Sequence, residues 1–217
     1  MQGGRSLMKI AMINGSPKSG KSTSGILIKH LEEILNNHDI SIFNINRTKP
    51  SEKDYENICN SDSLVFVFPL YIDSIPSHLL RLLIELEIRM KNCNKNIHVY
   101  CIVSNGFYEG SQNLYAIEVI KNWCKRTGVI FGQALGNGAG EMLPLVSNIP
   151  MGYGPNKNIG DALKKLSSNI VNNCGGETMY VVPNWPRLLW RIQSTISVWH
   201  PRAKANGIKR KEIRKRL

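Results

Sequence analysis

KIAMINGSPKSGKST, Lys9 to Thr23, sets an apolar run against a loop of small residues and then a helical pattern. Ile10 to Ile13 reads as a buried strand, and the helix begins near Ser22. Such a strand–loop–helix turn aims backbone N–H groups and the positive end of a helix at one point, which suits a phosphate. Two grammars fit the same residues. Gly15 to Ser22 satisfies the triphosphate loop G-x-x-x-x-G-K-[ST], and GSPK…ST also suits a single phosphate held by hydroxyls and helix N–H groups.

Outward from this turn, apolar runs and amphipathic stretches alternate. Strands are predicted at about 8–13, 40–45, 63–68, 97–103 and 129–135. Helices are predicted at about 22–36, 74–90, 111–127 and 157–172, with a short one at 52–60. Asp73 or Ser74 is the expected N-cap of the helix over 74–90, with Pro76 in its first turn. Lys125-Arg126-Thr127-Gly128 marks a helix C-terminus. The alternation implies an α/β fold, a doubly wound five-stranded parallel sheet. Ligands of such sheets sit beyond the carboxyl ends of the strands, which singles out Gly15–Thr23, Pro69–Asp73 and Ser104–Gly110.

Those three loops bear on what the phosphate belongs to. A triphosphate needs magnesium, commonly held through an Asp at the end of a neighbouring strand. Here SLVFVFPLY ends in Pro69-Leu70-Tyr71, and HVYCIVSNG ends in Ser104-Asn105. FMN instead needs one anion nest, polar contacts for its ribityl chain and a flat pocket for its ring system. Ser16, Lys18, Ser22 and Thr23 supply the first, and Pro69, Leu70, Tyr71 and Ile72 form an apolar aromatic turn. Asn105, Gly106, Phe107 and Tyr108 form another, in which Gly106 permits close backbone approach.

Composition bounds the rest. The 217 residues with 42% hydrophobic content suit one domain with an appendage. Residues 1–7 read as a leader, with Met8 an alternative start. No apolar run approaches membrane-spanning length. Cys59, Cys93, Cys101, Cys124 and Cys174 are scattered, without C-x-x-C, so no metal or iron–sulfur site is expected and reduced thiols in the cytoplasm are. The net charge is +12, and residues 187–217 carry ten Lys/Arg against one acid, Glu212. Trp185, Leu189, Ile192, Ile196 and Trp199 recur at helical spacing, with Arg187 and Arg191 off the stripe. This stripe suits packing on the domain or on a second subunit, and its Trp and Arg also suit an anionic membrane surface. The closing run Lys209-Arg210-Lys211…Arg214-Lys215-Arg216 has little aromatic interleaving, which disfavours nucleic-acid binding. Gly132, Gly136, Gly138 and Gly140 read as a tight turn beside the site, and loop 136–156 as a cover for it or a contact for a partner.

GSPK…ST at 15–23, FPLYIDSIPSHL at 68–79 and SNGFYEG at 104–110 resemble the flavodoxin-like NADPH-dependent FMN reductase family, over roughly residues 8–172. AKANGIKRKEI at 203–213 resembles the end of its clostridial-type branch. The resemblance implies strand order 2-1-3-4-5 and an FMN-binding domain over 8–175; the apolar stripe and the charge place an amphipathic helix and basic tail over 176–217. It implies hydride acceptance from NADPH or NADH by bound FMN, an electron acceptor that is a small molecule or a protein, and a homodimer. Ser16, Lys18, Ser22 and Thr23 would then face the phosphate, with Pro69–Ile72 and Asn105–Tyr108 on either side of the ring. Lys21-Ser22 departs from the Gly-Asn or Ser-Asn usual there, and the cysteine motif of the iron–sulfur relatives is missing. No catalytic residue is expected, because the chemistry belongs to the cofactor. A flavodoxin-type electron carrier and a phosphate-loop nucleotide-binding protein remain the alternatives.

Overall fold

The computed structural model describes residues 7–18, 20–45, 49–91, 96–209 and 212–213. Most of the leader, Cys93, and Arg210, Lys211 and Arg214–Arg216 of the basic run lie outside them. The chain divides into two compact units, one reaching to Pro183 and one from Asn184 onward.

In the first unit, strands β1 (Lys9–Asn14), β2 (Asp39–Asn44), β3 (Ser63–Pro69), β4 (His98–Ser104) and β5 (Ile130–Asn137) pair in parallel in the order β2-β1-β3-β4-β5. A sixth short strand, β6 (Met179–Val181), extends the sheet beyond β5. The five-stranded expectation stopped short of it, because three residues give too little alternation to read as a strand. β3 and β4 are buried almost throughout, as central parallel strands covered on both faces must be. β2 lies at an edge, and four of its six residues are exposed.

Helices α1 (Thr23–Ile34), α2 (Glu52–Cys59), α3 (Ser77–Met90), α4 (Leu114–Thr127) and α5 (Lys157–Val171) cover both faces. One apolar layer joins α2, α3 and α4 to the sheet through Tyr55, Leu79, Leu83, Ile117 and Trp123. The other joins α1 and α5 through Leu27, Leu31, Leu163 and Leu166. Trp123 packs edge-on to Phe66 and donates its indole N–H to Leu83 O (2.8 Å), so its polar atom is satisfied in the core.

Local chemistry sets the helix ends. Ser22 caps α1, its hydroxyl accepting from Gly25 N. Ser51 and Asp54 form a reciprocal capping box on α2. Gly128 ends α4 at φ 77°, a left-handed backbone suited to glycine. α3 begins at Ser77 with Pro76 as its N-cap, not at Asp73 or Ser74. Those two residues belong to a separate tight turn, in which Tyr71 and Ser74 exchange two backbone hydrogen bonds of 3.0 Å.

The β4–β5 ladder shifts register at Val99/Tyr100, with Gly132 as the extra residue. A side chain there would strike the Tyr100 ring. Tyr100 is fully buried and anchors its hydroxyl to the carbonyls of Asn169 and Cys174.

The second unit is a helix of three consecutive segments, α6 (Arg187–Ser194), a π-helical turn Thr195–Trp199 and α7 (His200–Ala205). His200 N bonds to Thr195 O, and the next residue, Pro201, has no N–H to give, so the ladder widens where proline opens it. No described helix is long and apolar enough to cross a membrane.

Candidate functional site

β1 lies between β2 and β3, so the crossovers leaving it and returning to β3 part beside its carboxyl end. The loops after β1, β3 and β4 gather at that end.

The first loop is folded tightly. Gly15 N donates to Val67 O, and a Cβ on Gly15 would stand 2.8 Å from Phe68 Cβ, so a small residue is required. Ser16 N donates to Asn14 Oδ1, and Ser16 Oγ accepts from Lys18 N (3.3 Å). Ser16 and Ser22 are buried, whereas Lys18 and Lys21 are exposed. The N–H groups of Thr23 and Ser24 open α1, where the helix itself offers them no acceptor. Thr23 Oγ1 donates to Gly140 O (2.8 Å). A phosphate taking that hydroxyl proton displaces the bond, while one taking backbone N–H groups leaves it intact.

The second loop projects apolar groups. Leu70 N is tied to Ser104 O (2.8 Å). The turn beyond it places Ile72 and Asp73 at φ 49° and 54°. Two successive left-handed residues suit the two-residue turn, which ordinarily carries Asn-Gly. An isoleucine there is strained and stands 99% exposed, beside the exposed Tyr71.

The third loop mixes a fixed amide with an exposed aromatic. Asn105 is buried; its Nδ2 donates to Glu109 O (3.0 Å), and its Oδ1 has no hydrogen-bond partner. A Cβ added at Gly106 would meet only Glu141 side-chain carbons, in ordinary contact at 3.9 Å. Phe107 is 57% exposed, and Tyr108 is partly covered.

The loop after β5 joins these pieces. Gly140 N donates to Asn105 O (2.7 Å), Ala139 N to Phe107 O, and Lys21 Nζ to Ser147 Oγ (2.9 Å). It therefore braces both the phosphate-type loop and the Asn105–Phe107 turn. Gly138 lies against the backbone of Tyr108 and Gly110, and Gly136 against Gly110 O and Tyr180. The glycine cluster thus marks direct backbone-to-backbone packing.

No protein-family model matches the sequence, and no curated protein matches it. Solved structures do match. An apo NADH:FMN oxidoreductase (EMOB) aligns with a TM-score of 0.59 and 15% identity, over 78% of this chain and 91% of that one. An NADPH-quinone reductase from P. pentosaceus gives 0.55 and 13% identity, over 78% and 100%. A flavodoxin, WrbA-like protein from Agrobacterium tumefaciens gives 0.53 and 11% identity, over 76% and 96%.

The fold is flavodoxin-like.

On this flavodoxin-like scaffold the donor set can be tested against a flavin mononucleotide. The α1 N-terminus offers backbone donors for one phosphate. Tyr71, Ile72 and Phe107 offer exposed apolar surface on two turns at the same strand ends. The orphaned Asn105 Oδ1 is an acceptor that lacks a donor, and an imide N–H supplies one. These residues fit the group. Brought together on adjacent loops are Ser16, Lys18, Ser22 and Thr23, then Pro69–Ile72, then Asn105–Tyr108. Two details escape the sequence reading: the Ser22 hydroxyl is engaged as the helix cap, and Gly140 touches both Thr23 and Asn105. The spacing Gly136, Gly138, Gly140 and the long loop over 136–156 were the signals for that bracing.

Proposed function

We propose that the chain is an FMN-dependent NAD(P)H oxidoreductase, passing electrons from NADPH or NADH through bound FMN to a small-molecule or protein acceptor. The observation that carries the reading is the shared address of an anion nest, two exposed apolar turns and an unpartnered buried amide oxygen, all at the carboxyl ends of β1, β3 and β4. When bound, FMN would take a hydride from the nicotinamide and return the electrons to the acceptor.

The protein's part is positional. The α1 N-terminus and Ser16 hold the phosphate, with Lys18 adding positive charge. Tyr71, Ile72, Phe107 and Tyr108 exclude water from the ring faces, and Pro69 and Leu70 carry the first turn out from the sheet. Asn105 Oδ1 accepts a hydrogen bond from the polar edge, and the Gly106 backbone approaches closely because no side chain intervenes. A triphosphate reading would need a metal ligand at the end of β3 or β4, where this chain has Pro69 and Ser104.

The scattered cysteines, with no C-x-x-C among them, support a reducing cytoplasm. A homodimer accompanies the reading. Leu80, Ile84 and Ile88, an exposed stripe along α3, supply a surface for a second copy. Gel filtration of Ile84→Glu should then give a smaller species than the parent; no change would remove this surface from the proposal.

The test is the visible spectrum with added nucleotide. A yellow protein bleached by NADPH or NADH supports the oxidoreductase. Yellow without bleaching by either replaces it with a flavodoxin-type carrier. A colourless protein that takes up ATP with magnesium, and not FMN, ends both.

A further inference from the structure

We propose that the helix formed by α6, the π turn and α7 is an amphipathic anchor that lies on an anionic phospholipid surface. Leu188, Leu189, Ile192, Ile196 and Trp199 recur along one side of this helix, and each is between 45 and 66% exposed. At about 1.5 Å per residue the stripe is roughly 17 Å long. An apolar stripe of this length left in water is a docking surface rather than scattered surface leucines.

The charge around it selects the partner. Residues 187–217 hold ten Lys/Arg and the single acid Glu212, so an acidic or neutral apolar partner is matched and a basic one is repelled. Arg191, Arg202 and Lys204 stand exposed on the same helix. Trp and Leu along one stripe, with Arg191, Arg202 and Lys204 off it, suit a helix that lies in the headgroup boundary. Arg187, Arg191, Arg202 and Lys204 make the helix too charged to span, so an in-plane placement is the one available.

A second feature points to phosphate-bearing headgroups. At the C-terminal end of the helix a groove of about 650 Å³ is lined by Ile196, Pro201, Ile208, Lys204, Lys209 and His200. Its apolar residues continue the stripe, its two lysines offer charge for a phosphodiester, and His200 Nδ1 is buried without a hydrogen-bond partner. Each cation near an anionic surface adds to attraction that salt weakens.

The experiment is flotation of the full-length protein with vesicles of equal parts phosphatidylglycerol and phosphatidylcholine, beside pure phosphatidylcholine. Tryptophan emission is recorded in parallel. Trp123 is buried in the first unit, so Trp185, Trp190 and Trp199 report on the second. Expected are flotation with the anionic vesicles alone, a blue shift of the emission and release by high salt. The double variant Ile192→Glu/Ile196→Glu should bind at least about tenfold more weakly. Lys204→Gln/Lys209→Gln should bind several-fold more weakly, while leaving the apolar stripe intact.

No flotation with anionic vesicles overturns the proposal, as does unchanged binding by the Ile192/Ile196 variant. So does a wild-type oligomer that this variant dissociates while neither protein floats, since a second copy would then be the occupant. Retention on DNA without flotation does the same. The result is independent of the flavin reading, because a colourless protein that floats sinks that reading alone.

Discussion

At Ile72 the backbone adopts a conformation that a β-branched side chain resists, and the side chain is held almost wholly in water. The two Tyr71–Ser74 backbone hydrogen bonds hold the turn, and the Ile72 side chain itself gains no burial from it. Ile72→Asn should therefore raise stability by about 1 kcal/mol, read as a melting temperature higher by roughly 2–4 °C. The same change should weaken FMN binding, measured by flavin fluorescence titration. A variant that is less stable and binds FMN unchanged would refute this role. Gly138 presents the opposite case. Its missing side chain is demanded by the Tyr108 and Gly110 backbone, where nothing flexible can yield. Gly138→Ala should cost on the order of 2 kcal/mol in urea unfolding, and a neutral result would show that the two loops are not packed as described. Ile72 was legible in the sequence as part of the turn after β3, and its strain was not. A turn's φ angles depend on the Tyr71–Ser74 pairing, which no local propensity announces.

Among the elements, the caps set what can be measured. Ser22→Ala removes the hydroxyl that accepts from Gly25 N at the start of α1, and should cost about 1 kcal/mol. Thr23→Glu adds a carboxylate where a phosphate is proposed. It should abolish FMN binding while the protein stays folded; unchanged affinity would move the phosphate elsewhere. On α2, hydrogen bonds from the Ser51 backbone and hydroxyl hold the Asp54 carboxyl below its ordinary value of 3.8. A depressed folded-state pKa stabilises above the ordinary value and ceases to as pH falls through the folded one. Asp54→Asn should accordingly flatten the acid limb of a stability–pH profile by lowering stability at neutral pH, while leaving the most acidic end little changed. An unaltered acid limb would show that the capping box does not hold in solution. The strands β1, β3 and β4 were readable because central parallel strands are continuous apolar runs, as in Leu64–Phe68. β6 was not, since its pairing with β5 is set by contacts far along the chain. The start of α3 was misjudged for a related reason: Ser74, a good cap by type, is spent in the turn it shares with Tyr71.

For the whole molecule, the sheet and its two apolar layers bury the interior thiols. Burial raises the Cys101 thiol and pushes that of Cys124 up to about 12. Under native conditions iodoacetamide should modify the exposed Cys174 and spare Cys101 and Cys124 until global unfolding. Rapid alkylation of either buried thiol would contradict the core. The doubly wound topology was legible because alternating patterns admit few arrangements. The bracing of two candidate loops by Gly140 was not, because it joins residues more than a hundred positions apart. Everything functional rests on one claim, that the loops after β1, β3 and β4 hold a flavin by its phosphate and ring. Titration of the flavin-free protein with FMN tests it most directly, followed by absorbance and fluorescence. Saturable quenching at one FMN per chain, lost in Thr23→Glu, is expected; fluorescence that stays that of free FMN at every protein concentration would contradict that claim.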